Sequence, residues 1–198
     1  MVAAMLVHRM MVEEEVLVLV AAPGARQSGQ MVEKVKRFLD LMGIRYGRYA
    51  KNEHSAWLPN GSAIVGLPAE DRKIRGFSAV SVLVIDEAAW VPDEVCLALL
   101  PTLTTTNGDL FVLGTPWEKR GFFYQMMTEE SEGRLRYTGP VTECPRVSEG
   151  FLAKERARGD AYFRREFLCE FIETGKFLIS ADLVSRAFET KQEAWTWL

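Results

Sequence analysis

The sequence predicts an α/β fold: a mainly parallel β-sheet flanked by helices, with a β-hairpin excursion near residues 46 to 67 and a helical carboxyl-terminal tail. Three observations carry it. Short apolar runs, Val16 to Val20, Val80 to Ile85 and Leu110 to Leu113, alternate with stretches of helical patterning, and runs so uniformly apolar read as strands buried on both faces. Between the first two runs lies Pro59-Asn60-Gly61-Ser62, and Asn-Gly between aromatic and β-branched residues is a hairpin signal. The second and third runs end on acidic or small polar residues, where an open parallel sheet builds its ligand crevice.

Taken in order, residues 1 to 12 have helical propensity with no N-cap residue ahead of them, so the chain reads as beginning inside a helix. Val16 to Val20, closed by Ala21-Ala22-Pro23-Gly24, is the candidate central parallel strand. From Gln27 to Met42, the apolar residues Met31, Val35, Phe38, Leu39 and Met42 fall at helical spacing, and Gly43 ends the pattern as a helix-terminating glycine does. The hairpin follows. Val80 to Ile85 then ends at Asp86-Glu87, and Leu110 to Leu113 at Gly114-Thr115-Pro116. Beyond these, Arg120 to Met127 and Phe151 to Phe171 read as helices around a short strand near Arg134 to Thr138, the second helix broken near Gly159-Asp160.

Composition bounds the function. A chain of 198 residues, 48% hydrophobic, suits one domain with a sizeable core and is too short for two full enzyme domains. The net charge of −3 and a pI of about 5.6 exclude the global basic field of a non-specific DNA binder, so any DNA contact is a local patch. Cys96, Cys144 and Cys169 are odd in number, widely spaced and without CxxC or histidine partners, which argues against a disulfide framework or zinc site and for a reducing cytosol. The amino-terminal MVAAMLVHRMM is interrupted by His8 and Arg9 and followed by three glutamates, unlike a signal peptide. No apolar run approaches the roughly 18 residues of a membrane-spanning helix, so a soluble protein with no membrane partner is expected.

The sharpest chemical signal is Val82-Leu83-Val84-Ile85-Asp86-Glu87, a buried strand running straight into two carboxylates. This is the Walker B arrangement, in which Asp86 serves Mg²⁺ through its water shell and Glu87 reaches the water that attacks a γ-phosphate. The competing reading is a strand followed by a helix whose first turn favours acidic side chains. Leu113-Gly114-Thr115-Pro116 places a hydroxyl at the end of the next strand, where it can sense a γ-phosphate; a plain Gly-Pro turn is the alternative. In Lys73-Ile74-Arg75-Gly76-Phe77, Arg75 offers a rigid fork of donors suited to transferred phosphate, within its own subunit or across a ring interface. Pairing with Glu70 or Asp71 would instead make it a surface arginine.

Together, LPNGSAIVGLP, KIRGFSAVSVLVIDEAAWVPDE and GDLFVLGTPWEKRGFFYQM resemble, in order and spacing, the ATPase domain of phage terminase large subunits. SEGFLAKERARGDAYFRREFLCEFIE is similar to the helical stretch after that domain, so the resemblance covers almost the whole chain. It implies a P-loop NTPase-like fold and a parent motor that couples ATP hydrolysis to translocation of double-stranded DNA into capsids. The implied cofactors are ATP and Mg²⁺. Asp86 would hold the metal, Asp86 and Gly114 would bind the nucleotide, and Glu87, Thr115 and Arg75 would be catalytic. The implied partners are DNA, a small terminase subunit, a portal ring and further copies in a homo-oligomeric ring, in the bacterial host cytoplasm.

The resemblance also marks two departures. The family's phosphate loop, GxxxxGK followed by Ser or Thr, is missing; residues 24 to 30 lack its lysine and correspond to the family's next motif, an SxRQSxE-like stretch. Without that cradle, ATP loses most of its charge-assisted contacts, and the isolated chain is expected to be inactive or nearly so. The family's nuclease domain is absent too, which implies a truncated ATPase domain over residues 1–173 and a linker over 174–198. Loss of the first strand would expose a sheet edge, favouring dimerisation or marginal solubility. Lys119-Arg120, Arg134, Arg136 and Arg164-Arg165 are local basic groups that could meet DNA phosphate, although such residues are more often a solvated helix face. Trp117, Phe122, Phe123 and Tyr124 read as core or interface residues, and His8 and His54 as structural. Two other readings stay open: a superfamily 2-like helicase fragment, and an inactive prophage remnant or binding module.

Overall fold

The computed structural model describes residues 1–50, 52–69 and 76–173. Its centre is β1 (Leu17–Ala22), which pairs in parallel with β3 (Ala63–Pro68) on one side and β4 (Val82–Ile85) on the other, Val18 lying opposite both Ile64 and Val82. Antiparallel β2 (Ser55–Trp57) joins β3, and β5 (Asp109–Val112) joins β4 in parallel. The sheet order is β2-β3-β1-β4-β5. The mainly parallel sheet and its hairpin excursion are thus as the sequence predicts.

Register sets the core. Val18, Val20, Ile64, Val82 and Val84 share one face, which α1 (Val2–Val12) and α2 (Ala25–Leu41) cover with Leu6, Met10, Val32, Val35 and Leu39. These helical residues recur at spacings of three and four, the stripe a half-buried helix presents to a sheet. Each fully buried aliphatic side chain contributes about 1.5–3 kcal/mol. Gly43, at φ +68°, closes α2 in the left-handed region that its missing Cβ permits.

The hairpin turn does more than reverse the chain. Asn60 Nδ2 donates to the carbonyls of Met10 (2.8 Å) and Glu13 (3.1 Å), and Ser62 Oγ accepts from Val16 N–H (3.2 Å). The turn therefore satisfies carbonyls where α1 gives way to β1, groups that a helix end leaves unpaired.

Residues 134 to 138 form no strand, contrary to the sequence pattern. Arg134 and Arg136 instead turn their guanidiniums back to the end of α4 (Gly121–Thr128), donating to Met126 O, with Arg134 also reaching Glu129 O at 3.1 Å. Cations favour a helix carboxyl end, where carbonyls lack partners. The expected break at Gly159 is present: φ of +142° there separates α5 (Glu149–Arg156) from α6 (Asp160–Leu168). A seven-residue helix, α3 (Asp93–Leu99), lies between β4 and β5 in the chain.

Contacts divide the chain into two compact units. One comprises Met1–Thr115 and Arg120–Tyr137; the other, Pro116–Lys119 and the chain from Thr138. Within the second, the Arg165 guanidinium stacks 3.6 Å from the Trp117 ring centroid, and Ile172 N–H donates to Trp117 O (3.2 Å). Phe163 and Phe167 stack at 5.2 Å. Of the four aromatics read as packing residues, Phe122 and Phe123 are buried. The expected linker over 174–198 lies outside the described residues. Among the described residues, no helix is long and apolar enough to cross a membrane.

Candidate functional site

Four of the five residues singled out from sequence meet at the carboxyl edge of the sheet. Asp86 follows β4 directly and its N–H donates to Ala21 O at the end of β1 (2.8 Å), so the carboxylate turn is pinned to the central strand. The ladder with β5 continues past both strands: Leu113 N–H donates to Ile85 O (2.9 Å) and Ala88 N–H to Leu113 O (2.8 Å). This second bond draws the residue after Glu87 onto the residue before Gly114. Neighbouring strands lie about 4.8 Å apart, so Asp86-Glu87 and Gly114-Thr115 flank one small space.

Local backbone shapes that space. Glu87 sits in the left-handed region (φ 53°, ψ 44°), which costs a non-glycine residue about 1–2 kcal/mol. The turn holds it there through Ala88 N–H and through Trp90 N–H, which donates to Glu87 O (2.8 Å). Gly114 is required for closeness: a Cβ there would lie 3.1 Å from Ala88 N and 3.5 Å from the Phe123 ring. Asp86, Glu87 and Thr115 are half-buried and Gly114 is exposed.

A single Asp86 oxygen, Oδ1, accepts from Glu87 N–H (3.1 Å); Oδ2 has no protein donor among the described residues. No group of three or more metal-ligating side chains occurs among the described residues. That donor set suits Mg²⁺, which keeps several waters and binds through one or two carboxylates together with substrate phosphates. Arg75 lies outside the described residues.

Sequence reasoning missed Asp93. Its Oδ1 accepts from Phe122 N–H at the start of α4 (2.9 Å), linking α3 to the helix that follows the Thr115 turn. The contact spans 29 residues, so no local pattern announces it. The nearby thiol of Cys96 is no nucleophile: burial, reinforced by the Asp93 charge, pushes it up to about 12.

The chain and its fold have counterparts among known proteins. The family profile described as terminase large subunit, T4likevirus-type, N-terminal, matches residues 2–186. The large terminase of a thermophilic bacteriophage superposes with a TM-score of 0.70 at 14% identity, over 86% of this chain and 44% of that one. The same terminase in complex with ATP-gamma-S gives 0.69 at 13% identity, over 86% and 43%. The ATPase domain of the Thermus phage P74-26 large terminase gives 0.61 at 20% identity, over 86% and 82%. At these identities the likeness shows the fold, P-loop NTPase-like. The chain spans less than half the length of the first of these structures. No curated protein sequence matches it.

Proposed function

Because the chain belongs to the terminase large subunit family, T4likevirus type, as its amino-terminal part, we propose that it is the ATP-hydrolysing part of a motor driving double-stranded DNA into phage capsids. The observation that carries this is the Ala88 to Leu113 hydrogen bond, which sets the two carboxylates beside Gly114-Thr115. Asp86 would hold Mg²⁺ through its water shell, Glu87 would take the proton of the attacking water, and Thr115 would report the γ-phosphate to the turn leading into α4. Gly114 gives the nucleotide a close approach, and Arg75 is the finger stabilising transferred phosphate. Bound Mg²⁺ would neutralise charge developing on the phosphates. A structural relative in complex with ATP-gamma-S supports nucleotide binding.

Turnover needs a phosphate loop, and residues 1–198 contain none. Among the described strands whose ends lie near Thr115, one has an open side for it. The end of β1 leads through Pro23-Gly24 into α2 with no lysine, and β4 is paired on both sides. Among the described residues β5 pairs with β4 alone, and all four of its residues are partly or fully exposed. A strand bringing the loop beside Thr115 would therefore add to β5. The remaining assignments follow the family: an ATPase domain over 1–173, a link over 174–198 toward a nuclease domain, action in the host cytoplasm, and a small terminase subunit, a portal ring and further copies as partners.

The test is Mg²⁺-dependent ATP hydrolysis by the chain alone and joined to a family-type phosphate-loop segment, each with and without Glu87→Ala. The reading expects turnover in the joined protein alone, and its loss with Glu87→Ala. A folded joined protein with no turnover would sink it.

A further inference from the structure

The chain as a whole is acidic, yet its charge is segregated. Residues 25–54 hold seven Lys or Arg against three Asp or Glu, a net of +4, which leaves −7 on the rest. Within this segment the outer face of α2 carries Arg26, Lys34 and Arg37, which line an open groove of about 700 Å³ with Glu33 and His54. Arg26 and Arg37 are eleven residues apart, about 16 Å along the helix. His54 fixes the groove floor, its ring lying so close to Gly29 that a Cβ there would come within 2.6 Å of Nδ1. Arg45 and Arg48, in the loop after α2, are exposed too and add two cations.

Ion pairing separates these cations from the others. Arg26, Lys34, Arg37, Arg45 and Arg48 are exposed and make no salt bridge among the described residues, whereas the neighbouring acid Glu33 is neutralised by Lys36 at 2.8 Å. The basic groups that the sequence nominated for DNA are engaged internally. Arg134 and Arg136 bind helix carbonyls, Arg164 pairs with Asp160 and Glu170, Arg165 pairs with Glu166, and Lys119 and Arg120 also have partners. A cation free of carboxylates keeps its full attraction for an external anion. A row about 16 Å long matches several phosphates spaced about 3.4 Å in rise along one strand.

We propose that the α2 face, with Arg45 and Arg48 after it, is a contact surface for the phosphate backbone of duplex DNA. The surface reads charge and spacing, without base edges, as a sequence-independent motor requires. The proposal rests on the packaging reading. It also moves the DNA contact from the basic groups read from the sequence to a helix beside the proposed nucleotide edge, since α2 begins where β1 ends.

The test is fluorescence anisotropy of a labelled 20-base-pair duplex against salt concentration, without nucleotide, using the full chain. Five phosphate contacts predict a log-log slope of about −4.5, at about 0.9 per contact. Arg26→Gln/Lys34→Gln/Arg37→Gln should flatten the slope by nearly three, and Arg45→Gln/Arg48→Gln by nearly two, with circular dichroism and melting unchanged. Lys154→Gln, an exposed cation in the other unit, should leave the slope alone. Equal slopes for the wild type and the triple variant would overturn the surface, as would no duplex binding at all. Neither result would touch the ATPase reading, which stands or falls on hydrolysis.

Discussion

β4 and β5 are neighbours of four residues each, run in parallel and deliver their ends to the same turn, yet they sit differently. Every residue of β4 is fully buried, while Asp109 is exposed and Leu110, Phe111 and Val112 are partly so. Both sequences are apolar enough for a central strand; position in the sheet makes the difference. β4 has a strand on each side and β5, among the described residues, has one. The carboxylates thus follow the buried member of the pair, and Gly114-Thr115 the member with an open edge among the described residues. An edge strand of this composition invites a further strand, which is where the phosphate loop is proposed to enter.

The contrast breaks most directly in the core. Leu83→Ala should cost about 2–5 kcal/mol, the usual range for a buried leucine, whereas Val112→Ala should cost about 1 kcal/mol because its site is already part-exposed. Urea unfolding measures both, and equal costs would erase the distinction. Asp93→Ala, which strips the N–H acceptor from the start of α4, should cost about 1–2 kcal/mol. In the joined protein it should also weaken ATP turnover through the adjacent Thr115 turn. Glu87→Gly should raise stability by about 1 kcal/mol by relieving the left-handed backbone while abolishing hydrolysis, a split between stability and activity that marks a strained functional turn.

The smallest effect is one of pH. The ordinary thiol value is 9.0 and the folded Cys96 is pushed up to about 12. Below pH 9 the thiol is neutral folded or unfolded and adds no pH dependence. From 9 toward 12 the unfolded chain loses the proton and the folded one keeps it, so stability falls as pH rises through that window. Cys96→Ala should flatten this fall in melts between pH 8.5 and 10.5. A thiol reagent at pH 8 should label exposed Cys144 quickly and Cys96 only after unfolding.

How far the sequence reveals all this depends on the range of each interaction. The three parallel strands, the Asn60-Gly61 turn, the Gly43 stop and the Gly159 break are all written within ten residues and appear where the pattern places them. So does the meeting of Asp86-Glu87 with Gly114-Thr115, because parallel strands put their carboxyl ends on one edge. The strand expected at Arg134 to Thr138 fails because its arginines are taken up by the end of α4, a tertiary demand that outweighs local β-propensity. Asp93 and the unpaired cations of α2 are invisible for a related reason. A list of basic residues cannot show which are already neutralised, and only the fold separates Arg164, held by Glu170 at 2.6 Å, from Arg37.

The most direct measurement of the central claim is the separation of ATP binding from ATP hydrolysis in the joined protein carrying Glu87→Gln. The account predicts nucleotide affinity within a few-fold of wild type and hydrolysis lower by at least about 100-fold, the lower end of a general base's contribution. Hydrolysis within about two-fold of wild type would remove Glu87 from the reaction and contradict the assignment of this turn as the catalytic centre.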